Sequence, residues 1–146
     1  MAEYRYLSQN ITFHNMKEQL SINVSQWIDN LEKRGRISFS LYQLEKELPN
    51  YSKVAIRSAL KRLSKKGKIV SFHRGFYLII TAQYASRGIL PAALFMDDFM
   101  KFLNRPYYVG LLSAAALYGA AHQQPQEYFV ITDFPVLRPS HKKGLK

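Results

Sequence analysis

The amino-acid sequence predicts an α+β, mostly helical fold. Three observations predict it: apolar residues recur at helical spacing in three separate stretches, two apolar runs flank a tight glycine-containing turn, and glycine or proline stands between consecutive stretches. Leu20, Val24, Trp27, Ile28 and Leu31 form the first helical stripe, with Gly35 as its stop signal, whereas residues 1–15 carry no clear periodicity. Ile37-Ser38-Phe39 alternates as a short strand does. Ser40 followed by Gln43 fits a capping box that opens a second helix over residues 41–48, whose buried stripe is Leu41, Leu44 and Leu48.

Pro49-Asn50-Tyr51 reads as a turn, because proline ends the helix and asparagine tolerates turn geometry. Ser52 then caps a third helix running from Lys53 to about Lys66, and Gly67 supplies a left-handed stop. At 100 degrees per residue Ile56, Ala59, Leu60 and Leu63 gather on one face, with Val54, Arg57, Ser58, Lys61 and Lys65 opposite. Residues 68–73 and 76–80 read as two strands joined at Arg74-Gly75 into a β-hairpin. Helix, short strand, helix, turn, basic helix and basic-tipped hairpin is the element order of a winged helix-turn-helix, which the sequence places at residues 36–80.

A short helical segment with one strand is expected after it. Residues 81–90 have loop character, and Pro91 at the first helical position opens a helix carrying Phe95, Phe99, Phe102 and Leu103, ended by Asn104-Arg105-Pro106. Residues 107–121 are apolar nearly all round and predict a buried helix; residues 127–132 predict a strand. The expected organisation is a DNA-binding domain at 1–82, a helical segment at 83–132 and a basic tail at 133–146, where Pro135, Pro139 and Gly144 interrupt any packing pattern.

Charge narrows the partner. The chain carries 21 Lys and Arg against 10 Asp and Glu, a formal +11. Residues 33–74 hold 12 of the basic residues and only two acids, Glu45 and Glu47, so this stretch accounts for +10; residues 53–74 hold eight basic residues and no acid. Solubility alone is served by interspersed signs, whereas a phosphate backbone rewards clustered cations through counterion release. Double-stranded DNA is the expected partner.

If the third helix enters a major groove, its start meets phosphate and its first half meets base edges. Ser52 and Lys53 are then positioning contacts, Arg57 is the candidate for bidentate guanine readout, and Val54 and Ser58 read neighbouring edges. Lys61 and Lys65 are candidates for phosphate, and Arg62 is a further DNA-binding candidate. His73 and Arg74 at the hairpin tip would follow the backbone or enter the adjacent minor groove, with Lys68 at the hairpin base.

Other classes are excluded by what the residues fail to form. Without cysteine there are no disulfides, thiol nucleophiles or zinc fingers, and a cytoplasmic location is expected. The longest nearly apolar run is 15 residues, short of the roughly 20 that span a bilayer, so no membrane association is expected. His14, His73, His122 and His141 lack metal-ligand spacing, and Asp97-Asp98 diverge by about 100 degrees on a helix and read as a solvated pair. No phosphate-binding glycine loop or nucleophile elbow is present, so neither a metal, a cofactor nor an enzyme activity is expected.

Two stretches resemble the AbiEi family of antitoxins and transcriptional regulators from type IV toxin-antitoxin (abortive infection) systems. One comprises Ile56-Arg57-Ser58-Ala59-Leu60-Lys61-Arg62-Leu63, Lys66-Gly67-Lys68-Ile69 and Arg74-Gly75-Phe76-Tyr77, which looks like the family's recognition helix and wing. The other is Arg105-Pro106-Tyr107-Tyr108-Val109-Gly110-Leu111-Leu112-Ser113-Ala114-Ala115-Ala116-Leu117-Tyr118-Gly119-Ala120, followed by Gln124-Pro125. The resemblance covers about residues 36–132. It implies a repressor that binds promoter repeats of its own operon, and a C-terminal domain, only begun in this chain, that counteracts a nucleotidyltransferase-type toxin without stably contacting it. The alternative expectation is a protein-interaction module, acting through residues 91–132, that neutralises such a toxin without direct DNA readout.

Overall fold

Asn23 opens the first helix, α1 (Val24–Lys33), through a reciprocal capping box: its side chain accepts from the Gln26 amide at 3.0 Å, and the Gln26 side chain accepts from the Asn23 amide at 2.9 Å. The structure is a computed structural model that describes residues 22–119 and 128–133. Leu20 of the expected first stripe, residues 1–15, Ala120 and Ala121 of the apolar run, Gln124-Pro125, Glu127, three of the four histidines (His14, His122 and His141) and residues 134–146 of the tail lie outside the described residues. Val24, Trp27, Ile28 and Leu31 are buried, as their spacing predicts.

β1 (Ser38–Ser40) leads directly into α2 (Leu41–Glu47). Only half of the box expected at Ser40 forms. The Ser40 hydroxyl accepts from the Gln43 amide at 3.0 Å, but the Gln43 side chain turns forward and donates to Glu47 at 3.1 Å. Glu47 in turn accepts from the Trp27 indole at 2.8 Å, so the carboxylate that draws Gln43 away also ties α2 to α1. α3 (Lys53–Lys65) starts at Ser52, whose hydroxyl accepts from the Ala55 amide at 3.1 Å. It stops at Gly67, where φ is +73° and the amides of Gly67 and Lys68 close back on Ser64 and Leu63.

β2 (Ile69–His73) and β3 (Phe76–Ile79) form the expected hairpin, and β1 adds to its far side, giving an antiparallel sheet of order β1-β3-β2. Phe39 pairs with Tyr77 and Ile69 with Ile79. One face of this sheet, with Phe39, Ile69, Ile79 and half-buried Tyr77, closes over α1, α2 and α3; Phe39 meets Trp27 edge-on and stacks on Tyr77, each at 5.3 Å between centroids. Val70, Phe72, Phe76 and Leu78 point to the other face, where they meet Ile89, Leu90 and the next helix, α4 (Ala92–Phe102), through Phe95, Met96, Phe99 and Met100. A sheet covered on both sides explains why residues 76–80 are apolar without alternation. Residue 82, the expected boundary, falls in a short 3₁₀ turn without buried residues (Ala82–Tyr84), and the hairpin carries α1–α3 on one face and α4 on the other.

The expectation of a solvated Asp97-Asp98 pair holds for exposed Asp97 and is corrected at Asp98. Ser38, buried in β1, donates its hydroxyl to Asp98 at 2.6 Å and so pins β1 to α4, while Asp97 pairs with Lys101 one turn on. The two side chains diverge as expected, but each diverges toward a partner. Pro91 stands one position before α4, as its N-cap, and Asn104 in the left-handed region (φ +52°) ends the helix.

The predicted helix over residues 107–121 is also corrected. Tyr107–Val109 is a strand, β4, paired antiparallel with β5 (Val130–Thr132), and among the described residues of the run only Leu111–Leu117 is helical, as α5. An apolar run without polar punctuation carries no period to separate strand from buried helix, and Tyr-Tyr-Val has the β-branched and aromatic character of a strand. Nor is the segment wholly buried, since Tyr108 and Tyr118 are exposed. Gly110 forms the corner: its amide donates to the Phe129 carbonyl at 2.8 Å, and a Cβ there would lie 2.9 Å from the Phe129 Cβ. Gly110→Ala is therefore expected to cost about 1–3 kcal/mol, read as a lower denaturant midpoint at unchanged slope. Among the described residues the fold is α+β, with five α-helices, two small antiparallel sheets, and no helix long and apolar enough to cross a membrane.

Candidate nucleic-acid interface

α3 has a dry underside and a cationic outer face. Ile56, Leu60 and Leu63 are buried and Ala59 is half-buried, which fixes the rotation of the helix on the sheet. That rotation leaves Ser52, Lys53, Val54, Arg57, Ser58, Lys61, Arg62 and Lys65 all exposed. None of the five cations in this set forms an ion pair among the described residues, so no carboxylate of those residues competes with an incoming anion. Val54 is 73% exposed, an apolar β-branched side chain without cover at the start of the helix, where a thymine methyl would find a contact.

The expected residues do not all stand on one line. Arg57 lies toward the hairpin edge of the helix, close enough to Tyr77 on β3 that, although burial pushes the Tyr77 phenol up, the Arg57 charge pulls it back. Arg74 is exposed at the hairpin turn. His73 is exposed as well, but its ring rests on Phe99 and Phe102 of α4 at 5.5 and 6.2 Å. Lys68 differs from the others: it is half-buried and its ammonium is engaged by Asp29 of α1, so it joins the base of β2 to α1 and has less charge to offer outward. Ser52 also has a local duty as the α3 cap, with its O–H still a donor.

Measured against family models, curated proteins and solved structures, the chain matches none.

Its surface chemistry follows from the residues themselves. A helix of about 10–12 Å diameter fits a major groove about 12 Å wide, and an outer face whose cations form no ion pair among the described residues suits a phosphate-lined groove. Sequence reasoning missed Tyr42, exposed on α2, although its position off the Leu41-Leu44-Leu48 stripe was a readable signal. It also missed the contacts of Asp98, Phe99 and Phe102 with β1 and the hairpin, which cross 23 to 60 residues of chain and leave no local trace. Among the described residues no trio of His, Asp or Glu is grouped as metal ligands would be.

Proposed function

We propose that this chain is a sequence-specific, double-stranded DNA-binding transcriptional regulator whose residues 36–80 act as a winged helix-turn-helix. α3 is the recognition helix in the major groove and the β2–β3 hairpin is the wing. One observation carries the reading: α3 buries Ile56, Leu60 and Leu63 and turns Lys53, Arg57, Lys61, Arg62 and Lys65 outward without an acidic partner among the described residues. Geometry and charge agree, which a merely solvated amphipathic helix with interspersed acids does not achieve. The resemblance to AbiEi antitoxins extends the proposal to autorepression of a toxin-antitoxin operon through promoter repeats, linked in function to a nucleotidyltransferase-type toxin without stable contact.

Arg57 has the central role. Its planar fork matches the two acceptors of a guanine edge, while Lys61, Arg62 and Lys65 neutralise phosphate. A mobility-shift series on the DNA upstream of the gene tests this. Arg57→Ala is expected to cost about 1–3 kcal/mol on the preferred site and to relax base choice at one position, whereas Lys61→Ala or Lys65→Ala weakens all sequences alike. An unchanged site preference in competition with Arg57→Ala removes the readout role.

Exposed Tyr108 and Ile131, paired across β4 and β5, favour a second reading in which residues 91–132 meet another protein and counteract a toxin directly. Rescue of toxin-expressing cells by a chain with a charge-reversed α3 supports that reading; loss of rescue supports DNA binding.

A further inference from the structure

We propose that Phe102 of α4, together with Phe99, is a positioning residue for DNA binding: the two rings hold the hairpin turn so that Arg74 is presented to the duplex from a fixed backbone. The inference rests on the DNA-binding reading and assigns part of that activity to a helix outside the winged helix-turn-helix.

The turn needs outside support. Two-residue hairpin turns that match strand twist require φ > 0 at the first central residue, and here only the second, Gly75, has it, at +80°. The mismatch is accompanied by a one-residue register shift between Ser71 and His73. The third strand braces the hairpin only up to the pairing of Ser40 with Phe76, so β1 stops short of the turn itself.

Support comes from two sides. On one, the Leu41 amide at the head of α2 donates to the Gly75 carbonyl at 2.8 Å. On the other, both residues bracketing Arg74-Gly75 rest on the same pair of rings. His73 lies 5.5 Å from Phe99 and 6.2 Å from Phe102, and Phe76 lies 5.3 Å from Phe99 and 5.1 Å from Phe102. Phe102 sits directly under the turn, its Cζ 3.8 Å from where a Gly75 Cβ would be. Arg74 extends from this clamp into solvent. A flexible side chain on a held backbone loses less freedom on meeting a phosphate than one on a mobile tip, and the difference appears as affinity.

Phe99 is buried and its removal disturbs the core, but Phe102 is 37% exposed, so Phe102→Ala separates positioning from folding. In a double-mutant cycle read by DNA affinity over a salt series, Arg74→Ala and Phe102→Ala are each expected to weaken binding about three- to tenfold and to lower the salt slope by up to about one. The double variant is no weaker than Arg74→Ala alone. Phe102→Tyr, which keeps the ring, retains affinity within about twofold, and Lys61→Ala remains additive with Phe102→Ala because it acts on another contact. Should Phe102→Ala fail to melt cooperatively, Phe102→Leu is read in the same cycle. Additive losses for Arg74→Ala and Phe102→Ala overturn the positioning role while leaving DNA binding intact, and absence of DNA binding by the unaltered chain overturns both.

Discussion

Raising monovalent salt from about 50 to about 200 mM is expected to weaken binding to duplex DNA roughly a thousandfold. The magnitude follows from the exposed cations. Lys53, Lys61, Arg62, Lys65 and Lys66 on and just after α3, with Arg74 at the hairpin turn, are six groups without an ion-pair partner among the described residues. If each neutralises one phosphate, the logarithm of the binding constant falls with the logarithm of salt at a slope near −5, and a fourfold rise in salt costs about three decades. Lys68 is left out because Asp29 already holds its ammonium, and Arg57 because its fork is assigned to a base. Each Lys→Ala change among the six should lower the slope by about one, in fluorescence anisotropy with any duplex of sufficient length. A slope shallower than about −2 with affinity retained at high salt would mean that the cationic face is not the surface that meets DNA.

How legible these features are in the sequence depends on the distance over which their causes act. α3 is readable because its signals are local: Ser52 and Gly67 mark its ends, and the Ile56, Leu60 and Leu63 spacing sets the buried side. The hairpin is readable for the same reason, with Gly75 between two apolar runs. What covers the hairpin's second face is not, since Phe72 meets Phe95 and Phe99 across a chain separation that no periodicity spans. The Lys68–Asp29 pair shows the same limit at the candidate interface: sequence reading counts Lys68 as one more basic residue, and only the packing of β2 beside α1 removes it from the free set. The run at 107–121 is illegible for a different reason. Its apolar character is a true signal of packing, but it holds no period, and nothing local distinguishes Gly110 from the other small residues, because what requires a glycine there is Phe129 packed against it.

Phe95→Ala is expected to destabilise the fold by about 3–5 kcal/mol, and the loss should be visible at Trp27, on the opposite side of the sheet. Phe95 is fully buried and meets Phe72 of β2 at 4.7 Å, so its removal leaves a cavity between α4 and the hairpin. Trp27, the single tryptophan, belongs to the other core, where it lies against Phe39. The two cores share β3, in which Leu78 turns to one and Ile79 to the other, and Ser38 joins β1 to Asp98 of α4. A strand cannot lose one face and keep its register without exposing the other, so the cores should unfold together. Tryptophan fluorescence and far-UV circular dichroism should therefore give coincident denaturant transitions, both moved to lower midpoint by Phe95→Ala. A dichroism step preceding an unmoved fluorescence transition would make residues 83–103 a separate folding unit. The clamp on the hairpin turn would then be removable without loss of the α1–α3 core, and DNA affinity after α4 had melted would measure what that clamp contributes.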